Sequence, residues 1–136
     1  MKKKILLVED ESQIRAIISV RLAAMGFEVL IAKDGLEGLQ LVRKESPDVV
    51  LLDLMLPGMD GYKLCRMIKF DVALEHIPVV ICSARASDED KKRAEQSGAD
   101  AYLVKPFEIK LFVETIQKLL GVSPSNQPDW LEKPDS

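Results

Sequence analysis

Val49-Val50-Leu51-Leu52-Asp53 joins a four-residue apolar run to a carboxylate. The run does not alternate apolar with polar residues, so it suits a strand buried on both faces, as in a parallel sheet. Runs of the same kind occur at Lys4–Val8, Glu28–Ala32, Pro78–Cys82 and Ala101–Val104. The segments between them have helical spacing. Ile14, Ile17, Ile18, Leu22 and Met25 step along one helix face, and Gly26 is a good C-terminal stop. Asp34 predicts a second helix cap, with Glu37 in capping-box position, Leu36, Leu39 and Val42 as the core face and Pro47 as the end. A third helix is expected from Gly61 to Phe70, burying Leu64, Cys65 and Ile68. A fourth, from Ser87 to Ser97, is so polar that only Ala94 is expected to be buried, and Gly98 closes it. A fifth runs from Glu108 to Leu120 on a stripe of Leu111, Phe112, Ile116, Leu119 and Leu120, ending at Gly121. Strand and helix thus alternate five times, and crossovers of this length force parallel strands with helices on both faces. The fold class is α/β, a doubly wound parallel sheet.

Composition supports one such domain. The chain has 136 residues, 47% of them hydrophobic, which suffices for a core at this length. Lys plus Arg number 19 and Asp plus Glu 22, a net charge of -3, so this chain is not built to hold nucleic acid directly. No apolar run approaches the roughly 20 residues that span a bilayer, and no membrane role is expected. The opening Met1-Lys2-Lys3-Lys4-Ile5 reaches Glu9-Asp10-Glu11 too soon to be a signal segment. Cys65 and Cys82 sit in apolar patterns without a Cys-x-x-Cys pair and read as core thiols, so a cytoplasmic location is expected. Residues 1–121 read as the domain. Residues 122–136, with three prolines and no periodicity, read as a tail or linker. Trp130 and Leu131 leave two readings for it, a free tail and a docked or partner-binding segment.

Function in an open parallel sheet gathers at the carboxyl ends of the strands. Glu9, Asp10 and Glu11 follow the first run, Asp53 the third, Ser83 the fourth and Lys105 the fifth. Each has an ordinary reading alone: a helix-capping acid, a loop acid, a hydroxyl, a Lys-Pro pair. Together they place acid, acid, hydroxyl and amine on one rim. Converging carboxylates repel in a partly desolvated pocket, and a hard divalent cation relieves them. Oxygen ligands suit Mg²⁺, with Mn²⁺ as a substitute. His76, the only histidine, reads as a surface loop residue, so no His and Cys cluster exists for zinc. Metal and ammonium together make a place for phosphoryl oxygens. Asp53 is the candidate nucleophile, since a carboxylate forms an aspartyl phosphate. Asp10 is expected as a direct metal ligand and Glu9 as a support through water or its longer side chain. The Met55 backbone carbonyl is a further candidate ligand. Glu11 faces solvent or begins the first helix.

Four segments carry a resemblance. Ile5-Leu6-Leu7-Val8-Glu9-Asp10-Glu11, the stretch 51–61 from Leu51-Leu52-Asp53 to Met59-Asp60-Gly61, Ile77-Pro78-Val79-Val80-Ile81-Cys82-Ser83-Ala84, and the stretch 98–107 ending Val104-Lys105-Pro106-Phe107 together resemble a response-regulator receiver domain over about residues 3 to 121. The resemblance implies a flavodoxin-like sheet of strand order 2-1-3-4-5. It also implies that Asp53 accepts a phosphoryl group from a sensor kinase phosphohistidine or a phosphotransfer protein, with Mg²⁺ gathered by Glu9, Asp10 and Asp53. Lys105 would pair with the phosphoryl group, across a bond to Pro106 that is often cis in the family. Ser83 would move toward that group and Tyr102 would turn inward, altering the face of helix 4, strand 5 and helix 5 for an output protein or domain. Met55 and Arg85 stand at the two positions that set phosphoryl lifetime. Neither readily orients an attacking water, so a state lasting minutes or longer is expected. The domain would assist its own phosphorylation and slow dephosphorylation without being a conventional enzyme, and a phosphorylation-dependent homodimer is compatible with the sequence. Glu9 stands where the family more often has Asp, implying retained but retuned metal binding.

Other classes fit less well. Haloacid-dehalogenase phosphatases want a second Asp two residues after the nucleophile, where this chain has Met55. No Gly-x-Gly-x-x-Gly or Walker-type loop marks a nucleotide enzyme. A protein-interaction module of the same fold, never phosphorylated, is the remaining alternative. As a receiver, the chain would be either a stand-alone regulator or relay intermediate, or part of a longer protein.

Overall fold

A computed structural model describes residues 2–85 and 87–120; the tail reading of 122–136, with Trp130 and Leu131, lies outside them. The element order is β1 (Lys4–Val8), α1 (Ser12–Ala24), β2 (Glu28–Ala32), α2 (Gly35–Glu45), β3 (Val49–Asp53), α3 (Gly61–Lys69), β4 (Val79–Ser83), α4 (Asp88–Gln96), β5 (Ala101–Val104) and α5 (Ile109–Leu119). The strands form one parallel sheet in the order β2-β1-β3-β4-β5, the flavodoxin-like arrangement.

Side-chain alternation along the central strands splits the core into two layers. Leu6, Val8, Val50, Leu52, Val79 and Ile81 pack with α2, α3 and α4. Ile5, Leu7, Val49, Leu51, Val80 and Cys82 pack with α1 and α5, chiefly through Ile18, Leu22, Phe112 and Ile116. All five residues of β3 are buried, as a strand covered on both faces requires. β2 differs: it lies at one edge of the sheet, and Ile31 is exposed there although its run resembles the buried ones.

Helix ends follow their capping chemistry. Asp34 Oδ1 accepts the Glu37 N–H at 2.8 Å, while Glu37 Oε1 reaches past the cap to the Lys33 N–H at 2.9 Å. Asp60 caps α3 through Tyr62 N–H at 2.8 Å, and Ser87 caps α4 through Asp90 N–H at 3.1 Å. α2 ends at Glu45, with Ser46 in the left-handed region before Pro47.

The expected core faces need correction at three positions. Ile17, Leu36 and Leu111 are exposed. Ile17 and Leu111 each have an adjacent apolar residue, Ile18 or Phe112, that takes the inward direction, and a 100° step cannot turn both inward; Leu36 lies in the first turn of α2, whose buried side chains are Leu39 and Val42. Val113 and Tyr62 are buried without having been singled out. α4 buries Ala94 alone, as expected.

Gly61 fixes the path of the chain after Asp53. Its N–H donates to the Leu54 carbonyl at 3.2 Å, and a Cβ on it would lie 2.6 Å from Leu54 Cα and 2.9 Å from the Asp53 carbonyl oxygen. Both obstacles are backbone, so a side chain there must displace the β3–α3 loop. Gly61→Ala is expected to lower the stability measured by urea unfolding by about 1–3 kcal/mol, where Gly58→Ala, which has open space but a positive φ, costs about 1 kcal/mol.

Candidate functional site

Strand register brings the polar rim together. Val8 pairs with Leu52, so Glu9 and Asp53, the next residues on β1 and β3, are neighbours. Asp53 pairs with Cys82, which sets Ser83 one step further along β4. Ser83 pairs with Val104, which sets Lys105 one step beyond β5. Asp53 and Ser83 are thus the last residues of their strands, inside the ladder rather than after it.

Lys105 ties the rim. Its Nζ lies 2.7 Å from Glu9 Oε1 and 2.9 Å from Asp53 Oδ2. Glu9 is 1% exposed and Asp53 6%. The other Asp53 oxygen accepts the Met55 N–H at 3.0 Å, so each oxygen of this carboxylate has a partner. For Met55 the observed contact is this N–H, and its side chain is exposed. Glu9 Oε2 accepts the Glu11 N–H at 3.2 Å, and exposed Glu11 precedes α1. Burial pushes the Glu9 carboxyl above its ordinary value, and nearby Asp53 adds to this, while the hydrogen bond from Lys105 opposes it. Burial alone would depress the Lys105 ammonium, but its hydrogen bonds to Glu9 and Asp53 together outweigh that and raise it.

Asp10 completes the cluster from an exposed position. One ligand atom each from Glu9, Asp10 and Asp53 lie within 4.8 Å of one another. Three carboxylates and one ammonium carry a formal -2, the charge a divalent cation balances. An all-oxygen donor set, part buried and part open to water, fits a hard cation. Arg15, which the sequence reading did not single out, braces this loop. Its Nη1 donates to the Glu9 carbonyl at 3.1 Å and the Asp10 carbonyl at 3.0 Å. A basic residue one turn into the helix after an acidic pair was the available signal.

The remaining candidates lie on a connected second strip. Ser83 is 1% exposed and its Oγ accepts the Arg85 N–H at 3.1 Å. The Ser83 carbonyl accepts the Lys105 N–H at 2.8 Å. The Tyr102 hydroxyl donates to the Arg85 carbonyl at 2.8 Å, its ring half-buried against the α3–α4 layer. The Arg85 side chain reaches out to Asp90, 3.8 Å away. The Lys105–Pro106 bond is cis. An open cleft of about 540 Å³ adjoins the cluster, lined by Asp10, Met55, Asp60, Tyr62, Arg85 and Arg93 among others. Cys65 and Cys82 are free and buried, and burial pushes both thiols up to about 12. His76 is exposed. Among the described residues no helix is long and apolar enough to cross a membrane.

A parallel sheet whose carboxyl rim joins three carboxylates to one lysine offers a place for a divalent cation beside an ammonium, a setting that suits a phosphoryl group. The profile of the response regulator receiver domain matches residues 5–117, and the chain belongs to that family. It is 36% identical over 121 residues to the polar-differentiation response regulator DivK of Brucella ovis, covering 89% of this chain and 98% of that protein. It is 40% identical over 119 residues to the probable transcriptional regulator ycf27 of Guillardia theta, but spans only 46% of that protein's length. Among solved structures, a putative response regulator from Chloroflexus aurantiacus superposes with a TM-score of 0.84 at 30% identity, covering 89% of this chain and 99% of that one. The receiver domain of the sensor histidine kinase PA1611 from Pseudomonas aeruginosa, described with a magnesium ion coordinated in its active-site cleft, superposes with a TM-score of 0.82 at 29% identity, covering 89% and 99%. Membership makes this chain a phosphoacceptor signalling domain that assists its own phosphorylation and dephosphorylation, and its acidic cluster is compatible with a divalent metal.

A cation that binds only the folded cluster stabilises it by mass action. At ten times its dissociation constant, Mg²⁺ is expected to add about 1.4 kcal/mol to the unfolding free energy. Asp10→Asn, an exposed change, is expected to remove most of that increment in thermal unfolding with and without the ion.

Proposed function

We propose that Asp53 is the phosphoacceptor, and that the phosphoryl group comes from the phosphohistidine of a sensor kinase or a phosphotransfer protein. An Asp53 carboxylate oxygen attacks phosphorus, the P–N bond breaks, and its electron pair returns to the donor imidazole, which takes up a proton. The observation that supports this reading best is the shared Lys105 ammonium, 2.7 Å from Glu9 and 2.9 Å from Asp53. It stands beside the nucleophile, where a transferred group gathers charge.

Glu9, Asp10 and Asp53 are the side chains proposed to hold Mg²⁺, with the Met55 carbonyl as a backbone ligand and Mn²⁺ as a substitute. When bound, the ion supplies charge neutralisation to the phosphoryl oxygens. Glu9 has a second role in this reading: it keeps Lys105 charged and aimed at Asp53. Ser83 then hydrogen-bonds a phosphoryl oxygen. Its hydroxyl donates to that oxygen, and the move toward it shifts the strip that runs through the Arg85 N–H to the Tyr102 hydroxyl. Tyr102 turns inward, and the α4–β5–α5 face changes for an output protein or domain. A phosphorylation-dependent homodimer would use a face exposed by the same change. Residues 1–121 are the receiver and 122–136 the tail or linker in this proposal.

Incubation with Mg²⁺ and acetyl phosphate tests the acceptor. Intact-mass measurement is expected to show one added phosphoryl group on the wild type and none on Asp53→Asn, and modification of Asp53→Asn at wild-type level would remove Asp53 from its role. Lys105→Ala is expected to slow the gain at least tenfold without changing the site. For lifetime, exposed Met55 and Arg85 offer no carboxylate or amide to orient water. Phosphate loss from purified phosphoprotein is expected to take minutes or longer, and Met55→Asn to shorten it several-fold.

A further inference from the structure

α4 is held in an unusual way. Seven of its nine residues are charged, and Ala94 is its one buried side chain. A single buried methyl group contributes on the order of 1 kcal/mol, so other contacts must set where the helix sits. At its C-terminal end they are dense. Cys65 Sγ donates to the carbonyl oxygen of the C-cap Ser97 at 3.3 Å, and just beyond the helix Lys69 Nζ, anchored on the Glu75 and Ile77 carbonyls, pairs with Asp100 at 3.0 Å.

Tyr62 of α3 touches α4 at two places, Asp90 in its first turn and Arg93 in its last. Tyr62 is 2% exposed, and its hydroxyl donates to the Asp90 carbonyl at 3.1 Å. The Arg93 guanidinium stacks over the same ring, 4.3 Å from its centroid, a cation–π geometry that gains from partial desolvation. Arg93 also approaches Asp60 Oδ2 at 3.8 Å, a half-exposed pair that adds little. Asp60 caps α3, whose first residue, Gly61, presses on Leu54 next to Asp53. The β3–α3 loop therefore meets α4 directly, by a path that does not pass through Ser83 or Tyr102.

We propose that Tyr62 and Arg93 form a latch that holds α4 against α3 in its resting packing, and that phosphorylation must release it while the Lys69–Asp100 pair, just beyond the helix, serves as the pivot. The proposal rests on Asp53 being the phosphoacceptor. If the latch exists only in the resting packing, removing it favours the other packing, and linkage requires the phosphorylated or phosphoryl-mimicked site to gain affinity by the same factor.

Tyr62→Phe removes the hydroxyl and keeps both ring and stack. In the full chain, titration with beryllofluoride in the presence of Mg²⁺ is expected to show about three- to ten-fold tighter binding, the worth of one buried hydrogen bond. Without the analogue, amide exchange is expected to quicken over 88–93 and stay unchanged over 97–100. A side chain that only supports the fold would lower the melting temperature without tightening the analogue. Should Tyr62→Phe fail to fold, Arg93→Gln, with its half-exposed side chain, carries the same test and is expected to shift both readouts in the same direction. Wild-type binding with unchanged or weaker binding by the variant overturns the latch alone. Failure of the wild type to bind the analogue overturns the phosphoacceptor reading and the latch with it.

Discussion

The Lys105 ammonium, shared by Glu9 and Asp53, is the interaction on which the site depends. It joins three strands that are far apart in sequence. Neighbouring strands lie about 4.8 Å apart, so β5 stands roughly two spacings from β3 and three from β1. A long lysine at the end of β5 covers most of the first distance. The second needs a long carboxylate as well, and Glu9 has one methylene more than aspartate. The strand order 2-1-3-4-5 is what makes this reach possible.

Placing that charge inside the rim is costly, and the arrangement shows how it is met. Glu9 is buried, and its carboxyl is raised by that burial. Lys105 offsets part of the cost, and the Glu11 N–H satisfies the remaining oxygen. Asp10 stays open to water, so the third carboxylate avoids desolvation until a cation arrives. Three carboxylates and one ammonium leave two formal negative charges, which a divalent ion would balance.

Much of this was legible because parallel sheets leave strong marks. Five short apolar runs became five strands, and three of their ends moved by one residue, to Asp53, Val79 and Ser83. The rim could be read because Glu9, Asp53, Ser83 and Lys105 each stand where an apolar run stops. What escaped was of two kinds. Helix faces with adjacent apolar residues, such as Ile17-Ile18 and Leu111-Phe112, have no one-dimensional rule for which side chain turns inward. Contacts made by mid-helix polar residues also escaped. Arg93 looks like a solvated charge in sequence and Arg15 is marked there only by its place one turn after an acidic pair; the packing of α1 on its loop and α4 on Tyr62 gives both their contacts.

The contrast between α4 and α5 explains how one fold can be both rigid and responsive. α5 buries Phe112, Val113 and Ile116, and moving it would expose a large apolar area. α4 buries one alanine and is otherwise positioned by hydrogen bonds and a stacked guanidinium, interactions of about 1 kcal/mol each that water can replace. Two packings of such a helix differ by little, so a few new contacts at a phosphoryl group suffice to choose between them. A more hydrophobic α4 would raise the stability of the domain and lock the face that phosphorylation must change. The polar composition of Asp88–Gln96 thus suits the switch proposed for this face.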